Sequence, residues 1–294
     1  MKNYHYNANH NIIGIDVRTG TYAENVYTSH ILEYEIYKLY KYFRGLNIED
    51  PVVQQCIKNK MKLKFKMRNA INTSANNNIE EVLFTGIGRA SMLGVQMLIL
   101  IKDFEINEYK VLMVKRSANV AARPDMWQFI PSGGFEIYAH SDENSLSILK
   151  EHFSVSYALL REYVEELFDL KEFEYKTNGE GIFQIKNDPH IIQLENILKE
   201  RKGNLYFLGS TVDLTSLRNE LSFVLVVNDR EYSRSIFRHN FESSNIHRYL
   251  IKEVEEIFAQ EKYKINPSSA ALWYLFKNSN IYNIIVNKNE PWLQ

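Results

Sequence analysis

A charged run near the middle of the chain has the spacing of a cation-binding site. Residues 161–166 read Arg-Glu-Tyr-Val-Glu-Glu, which puts Glu162, Glu165 and Glu166 at i, i+3 and i+4. In an α-helix these positions rise from one face within a single turn. Like charges at this spacing repel one another, whereas Mg²⁺ and Mn²⁺ prefer carboxylate oxygens. The spacing therefore indicates a divalent-metal site; the alternative is a solvated, ion-paired helix surface.

The same segment carries an apolar stripe that predicts how the helix lies. Tyr157, Leu160, Val164 and Leu167 follow the i, i+3, i+4 rhythm on a different face from the glutamates. We expect this stripe to enter a core and the acidic face to look toward solvent.

The elements upstream of the helix are strands and a glycine turn. Residues 93–101 and 110–116 are apolar runs of strand length separated by a polar turn, which predicts a hairpin. An aromatic segment starting at Trp127 then runs into Pro-Ser-Gly-Gly, where Gly133 and Gly134 permit conformations that other residues resist.

This order of elements resembles the Nudix hydrolases, whose signature is a glycine loop leading to a helix with Arg-Glu-x-x-Glu-Glu. Residues 133–136 look like the loop and residues 158–166 like the helix; the resemblance covers roughly residues 90–260. It implies an α/β fold of the α+β type, a Nudix-type α/β/α sandwich with a mixed sheet. We expect residues 86–294 to form this domain, with insertions near 137–157 and 187–202. Residues 1–85 would be a mainly helical extension.

The resemblance also implies site residues and a cofactor. Glu162, Glu165, Glu166 and the Gly134 carbonyl would bind Mg²⁺ or Mn²⁺. Glu166 and Glu165 would act in catalysis, and Arg161 would orient Glu165 by an ion pair; on spacing alone, a surface arginine fits equally well.

Substrate contacts and the general base are less defined by the pattern. Arg116 ends a strand and would bind phosphate, with a solvated strand end as the alternative. Trp127 would line the cleft or pack in the core rather than stack on a base. By the resemblance, the general base would be a glutamate of the Arg-Glu-x-x-Glu-Glu motif or a later one. The later candidates are Glu180, Glu220 and Glu242, none of which a local pattern distinguishes from a surface carboxylate.

The implied activity is hydrolysis of a pyrophosphate linkage in a nucleoside diphosphate derivative, with water activated by the metal. Two positions depart from the family pattern: Phe153 stands where it has its first glutamate, and Phe168 where a glycine follows the Glu-Glu pair. These departures favour an alternative, a catalytically degenerate domain that serves as a nucleotide or nucleotide-sugar sensor or as a scaffold.

Composition limits the remaining classes of function. The chain has 294 residues and a formal net charge of −1, so no overall field attracts nucleic acid or an acidic membrane. Its single cysteine, Cys56, excludes an internal disulfide framework and suits a reducing compartment. No signal-peptide core or spanning apolar run is seen. We expect a cytoplasmic protein with a small nucleotide derivative as partner; the sequence leaves a homodimer open.

Outside the motif, the patterns predict further helices and strands. Asp50-Pro51 has the residue types of a helix start. Residues 60–68 alternate as a strand would, yet their lysines and methionines favour a helix, which we predict. The other predicted helices are 30–43, 188–202, 244–260 and one starting at Pro267, and the other predicted strands are 205–213 and 221–228.

Overall fold

The computed structural model describes residues 3–6, 8, 12–118, 123–135, 153–170, 185–240, 243, 245–261 and 264–286. They form two compact units. Unit 1 comprises Met1–Leu93 and Val212–Glu220, and unit 2 comprises Gly94–Thr211 and Leu221–Gln294. The fold is α+β, with a mainly helical amino-terminal region followed along the chain by a mixed sheet and its helices.

Unit 1 begins with a hairpin and continues as helices. Strand β1 (Asn3–Tyr6) pairs antiparallel with β2 (Ile12–Asp16). The helices are α1 (Tyr22–Asn25), a π-helical segment (Val26–His30), α2 (Ile31–Phe43), α3 (Pro51–Lys64), α4 (Lys66–Ser74) and α5 (Ile79–Phe84). The prediction of helix for residues 30–43 and 60–68 is thereby confirmed, with a break at Phe65 between α3 and α4.

Helix starts in unit 1 follow the residue types of the sequence. The Asp50 carboxylate accepts a hydrogen bond from the Val52 amide at 2.8 Å, with Pro51 in the first turn. The buried Glu35 plays the same part for α4, accepting from the Met67 amide at 2.7 Å and the Arg68 amide at 3.3 Å. Both carboxylates satisfy amide groups that a helix leaves without intrahelical partners.

The core of unit 1 draws on two distant parts of the chain. Its buried apolar cluster contains Leu32, Ile71, Ala75, Val82 and Leu217. The first four come from the helical region, while Leu217 belongs to the turn between two later strands. The tip of that hairpin is therefore part of the amino-terminal core.

In the described part of the chain, seven strands form the main sheet. They are β3 (Leu93–Asp103), β4 (Glu108–Lys115), β5 (Trp127–Phe129), β6 (Ser132–Gly134), β7 (Gly203–Asp213), β8 (Arg218–Val227) and β9 (His247–Leu250). The order across the sheet is β5-β4-β3-β8-β7, with β6 paired to β3 and β9 paired to β4. The short strand β6 lies antiparallel to the start of β3, so that Gly133 stands opposite Val95 and Gly134 opposite Gly94.

The described helices of unit 2 are α6 (Val155–Phe168), α7 (Pro189–Lys199), α8 (Ile251–Gln260), α9 (Pro267–Lys277) and α10 (Asn280–Val286). The core contains strand residues such as Leu98, Val111 and Phe129 together with Leu272 and Phe276 of α9. Among the described residues, no helix has both the length and the apolar character needed to cross a bilayer.

One element of unit 2 differs from its predicted form. The pattern of residues 244–260 predicts one helix, but residues 247–250 are strand β9 and the helix begins at Ile251. Tyr249 pairs opposite Val111 on β4. The edge of β4 offers hydrogen-bonding partners to these residues, and such tertiary pairing overrides a local helical pattern.

Candidate active site

Helix α6 carries the acidic residues. A side-chain cap marks its amino end and a left-handed residue marks its carboxyl end. The Ser154 hydroxyl accepts from the Tyr157 amide at 3.3 Å at the amino end. At the carboxyl end Asp169 adopts the left-handed conformation, a common helix stop. The predicted apolar stripe is buried at Tyr157, Val164 and Leu167 and half-buried at Leu160.

The acidic face of α6 is also buried, which corrects the expectation that it faces solvent. Only 8% of Glu162, 6% of Glu165 and 7% of Glu166 is exposed. The face lies against β6, where the Ser132 amide donates to Glu166 Oε2 at 3.3 Å. Glycines of β6 carry no side chains, so the strand leaves room for carboxylates.

Gly133 makes the closest approach to this face. A Cβ atom at position 133 would lie 1.9 Å from the carboxyl carbon and from one oxygen of Glu162. No real Cβ tolerates such a contact, so the carboxylate of Glu162 fills the space that a side chain at 133 would occupy. The sequence pattern identifies the glycine turn, but the cradle it forms for Glu162 has no sequence signal.

Arg161 is buried among these oxygens and is not a surface residue. Its side chain is 3% exposed. One guanidinium nitrogen donates to Glu162 Oε1 at 2.6 Å and to the Gly134 carbonyl at 2.9 Å, and the other donates to Glu165 Oε2 at 3.1 Å. The ion pair with Glu165 has the i, i+4 geometry that the sequence suggests. The contacts with Glu162 and Gly134 come in addition.

The donor set fits a hard divalent cation by chemical type. Three carboxylates and one backbone carbonyl are the oxygen ligands that Mg²⁺ and Mn²⁺ prefer, and the cradle at Gly133 admits Glu162. In the described part of the chain, however, no three His, Cys, Asp or Glu side chains are arranged as a ready metal-binding group. The guanidinium of Arg161 is the cation placed at the oxygens of Glu162, Glu165 and Gly134.

Arg116 and Trp127 belong to a second group in unit 2. The half-buried Arg116 donates to Gln128 Oε1 at 3.0 Å. The ring of Trp127 packs edge-on against Tyr249 with centroids 5.9 Å apart and against His247 at 6.1 Å. Trp127 therefore forms an aromatic cluster with these two rings.

Of the later glutamates proposed as general base, Glu220 is the one that the structure describes. Glu180 and Glu242 lie outside the described residues. Glu220 is buried and pairs with the Arg218 guanidinium at 2.9 Å, and it belongs to unit 1.

A tyrosine pair behind the acidic face has no signal in the sequence. The hydroxyls of Tyr163 and Tyr232 are 2.7 Å apart, and both side chains are fully buried. Burial raises the pKa of Tyr163 well above its ordinary value, and the neighbouring Tyr232 adds to this effect. The pair joins α6 to the 3₁₀ segment Tyr232–Arg234.

Comparison with known proteins gives structural likenesses only. No family model and no curated protein matches the sequence. A NUDIX hydrolase from Alicyclobacillus acidocaldarius is similar over 67% of this chain and 96% of its own, at 12% identity and a TM-score of 0.38. The MutT protein of Methanosarcina mazei Go1 is similar over 68% of this chain and 95% of its own, at 14% identity and a TM-score of 0.33. The NUDIX domain of Shewanella oneidensis NrtR, complexed with ADP ribose, is similar over 57% of this chain and 78% of its own, at 12% identity and a TM-score of 0.33.

Proposed function

We propose that the chain is a Nudix-type hydrolase that cleaves a pyrophosphate linkage in a nucleoside diphosphate derivative with Mg²⁺ or Mn²⁺. The observation that carries the proposal is the burial of Glu162, Glu165 and Glu166 against the glycine strand β6. Burial of several carboxylates is costly unless cations compensate them. Here the compensating groups are Arg161 and, in the working enzyme, the divalent ion.

The roles follow from the contacts. Glu162, Glu165, Glu166 and the Gly134 carbonyl would hold the ion. When bound, it supplies charge neutralisation at the phosphates and a water of lowered pKa. Arg161 fixes Glu165 through the 3.1 Å bond. Arg161, which also donates to Glu162 and to the Gly134 carbonyl, would hold these ligands in place and offset part of their negative charge.

Substrate binding is assigned to the second group. The Arg116 guanidinium suits a phosphate oxygen, since charge-assisted bonds from arginine to phosphate are strong. Trp127, with Tyr249 beside it, offers an apolar wall to the part of the substrate that is not phosphate. A nucleoside diphosphate derivative supplies both chemical features.

A second candidate is a non-catalytic domain that binds the same class of nucleotide as a sensor or scaffold. The Phe153 ring packs on Phe135 with centroids 4.8 Å apart, at the position where the family pattern has a glutamate. Phe168 stacks on His190 at 3.7 Å, where the pattern has a glycine. Both positions have become packing residues, which favours this reading over a complete catalytic box.

The two candidates are separated by one assay on the full chain. Purified protein is incubated with dinucleotides, nucleotide sugars and nucleoside triphosphates in the presence of Mg²⁺ or Mn²⁺, and product formation is followed. We expect turnover that falls at least about 100-fold in Glu166→Gln, because several kcal/mol of charge stabilisation depend on the ligand. Calorimetry with Mn²⁺ alone should show weaker binding in the same variant.

Glu195→Gln is the matched control, because the side chain of Glu195 is 43% exposed on α7 and pairs with the surface residue Lys199 at 3.0 Å. It should keep wild-type turnover and Mn²⁺ affinity. Turnover unchanged by Glu166→Gln would remove the proposed site. Tight nucleotide binding without turnover under either metal would select the sensor.

A further inference from the structure

A buried arginine in unit 1 has no anionic partner among the residues that the structure describes. Arg89, between α5 and β3, is 3% exposed. One terminal nitrogen donates to the Leu217 carbonyl at 3.2 Å. Within the described part of the chain, its Nε and its other terminal nitrogen have no hydrogen-bond partner and no carboxylate pairs with it.

The positive charge of Arg68 acts on this guanidinium. Burial, followed by the positive charge of Arg68, lowers the pKa of Arg89 to about 10. Arg68 itself is compensated, because Glu35 and Asp213 act on it with opposite charge and it donates to the carbonyls of Leu214 and Thr215. Of these two arginines, Arg89 is therefore the one without a compensating carboxylate among the described residues, and a buried guanidinium without an anion is strongly unfavourable.

Among the described residues, two further buried amides of unit 1 also lack hydrogen-bond partners. Asn219 is completely buried, neither atom of its amide group has a hydrogen-bond partner, and it follows two residues after Leu217. Asn25 is 6% exposed and its amide nitrogen is without a partner. It lies one helical turn before Ser29, whose hydroxyl donates to the carbonyl of Ala90, next to Arg89, at 2.9 Å.

From these three side chains we infer that unit 1 contains a binding site for a small oxyanion, a phosphate or a carboxylate, on Arg89, Asn219 and Asn25. The atoms of these side chains that have no hydrogen-bond partner among the described residues are mostly N–H donors, which match oxygen acceptors. Near-complete burial restricts the ligand to a small ion or the end of a narrow one. The site involves no residue of the proposed hydrolase centre, and its test is independent of that function.

The test measures phosphate and acetate binding to the full chain at constant ionic strength, with chloride as the reference. We expect sodium phosphate to raise the Tm by about 4 °C at about 100 times Kd and to give a calorimetric isotherm. Acetate acting in place of phosphate would assign the site to carboxylates. Arg89→Met should weaken binding at least about tenfold, because it removes the charged donor.

Arg89→Met should also be at least as stable as the wild type without phosphate, since it removes an uncompensated buried charge. The control is Arg44→Met, because Arg44 is exposed; it should keep the full phosphate response. A second variant, Asn219→Asp, supplies an internal carboxylate to Arg89. It should raise the Tm in chloride and abolish the response to phosphate.

Two results would overturn the inference. One is a wild-type Tm and isotherm that neither phosphate nor acetate changes, which would mean that water satisfies these groups. The other is an anion response that Arg89→Met and Asn219→Asp both retain in full, which would place the binding elsewhere in the protein.

Discussion

The carboxylate of Glu162 occupies the space that a side chain at position 133 would need, so residue 133 must be glycine for Glu162 to lie there. The carboxylate lies where a Cβ would be, and its oxygen is held at 2.6 Å by Arg161. Glycine at this position of β6 is thus required by the acidic residue on the facing helix. This steric requirement is separate from the backbone freedom that glycine also has.

Gly133→Ala tests this relationship. The new methyl group would force the Glu162 carboxylate out of its cradle and away from Arg161. Glu162 ends a flexible side chain, so we expect the fold to persist. Under the proposed function, Mn²⁺ affinity should fall at least about tenfold, as for loss of a group that orients a metal ligand. Calorimetric titration with Mn²⁺ measures the affinity, and circular dichroism confirms folding.

The matched control for this variant is Gly14→Ala. A Cβ at Gly14 would meet its nearest neighbour, the ring of His5, at 3.5 Å, an ordinary contact. This variant should bind Mn²⁺ as the wild type does. Equal affinity in both variants would show that the position of Glu162 does not matter for the ion.

At the residue scale, the sequence predicts which side chains share a helix face but not what faces them. Helical spacing alone places Glu162, Glu165 and Glu166 together. Their burial depends on β6, and the contacts of Arg161 depend on the carbonyl of Gly134, 27 residues earlier. Such contacts between distant residues have no periodic signal in one sequence.

At the scale of elements, a hydrogen bond between two buried hydroxyls joins α6 to the 3₁₀ segment Tyr232–Arg234. Tyr163 on α6 and Tyr232 each lose their water partners on folding, and each replaces them with the other at 2.7 Å. Tyr163 is the neighbour of Glu162 in the chain, so this bond fixes the helix that carries the acidic face.

The tyrosine pair predicts a non-additive mutant cycle. Tyr232→Phe leaves the Tyr163 hydroxyl buried without this partner and should lower the free energy of unfolding by about 1–3 kcal/mol. Removing both hydroxyls leaves no unsatisfied group, so the double variant Tyr163→Phe/Tyr232→Phe should lose less than the sum of the single variants. Urea denaturation at pH 7 measures all four proteins; additive losses would contradict the coupling.

The pH dependence of stability is a second test of the tyrosine pair, with the double variant as its control. Because the pKa of Tyr163 is raised in the folded state, the unfolded chain releases its proton first, from about pH 10. Stability should therefore fall as the pH rises above that value. The decline should be shallower in the double variant, which has no hydroxyl to ionise at either position.

The elements themselves are the part of the fold that the sequence predicts best. The capping residues Asp50 and Pro51 place the start of α3, and the apolar runs place β3 and β4. A strand that the pattern misassigns is β9, because its four residues become a strand only through pairing with β4. The helical pattern of α8 then extends back over them without a break.

At the scale of the whole molecule, the packing of unit 1 depends on a turn encoded far from its helices. The turn after β7 is organised by Asp213, which accepts from the Thr215 amide at 2.8 Å and from the Ser216 hydroxyl at 2.9 Å. It presents the Leu217 side chain to the cluster of α2, α4 and α5. The sequence pattern shows a hairpin here, but nothing in it indicates that the tip completes another core.

Leu217→Ala should therefore destabilise the amino-terminal helices. Leu217 is 4% exposed, and truncating a buried leucine costs about 2–5 kcal/mol through lost burial and the cavity left behind. Hydrogen exchange should show lower protection in α2, α4 and α5, where the cluster lies. Leu214→Ala is the control, three residues away in the same turn and 65% exposed, and it should change stability by less than about 0.5 kcal/mol. Equal protection of the three helices in both variants would mean that the amino-terminal core holds together without the hairpin tip.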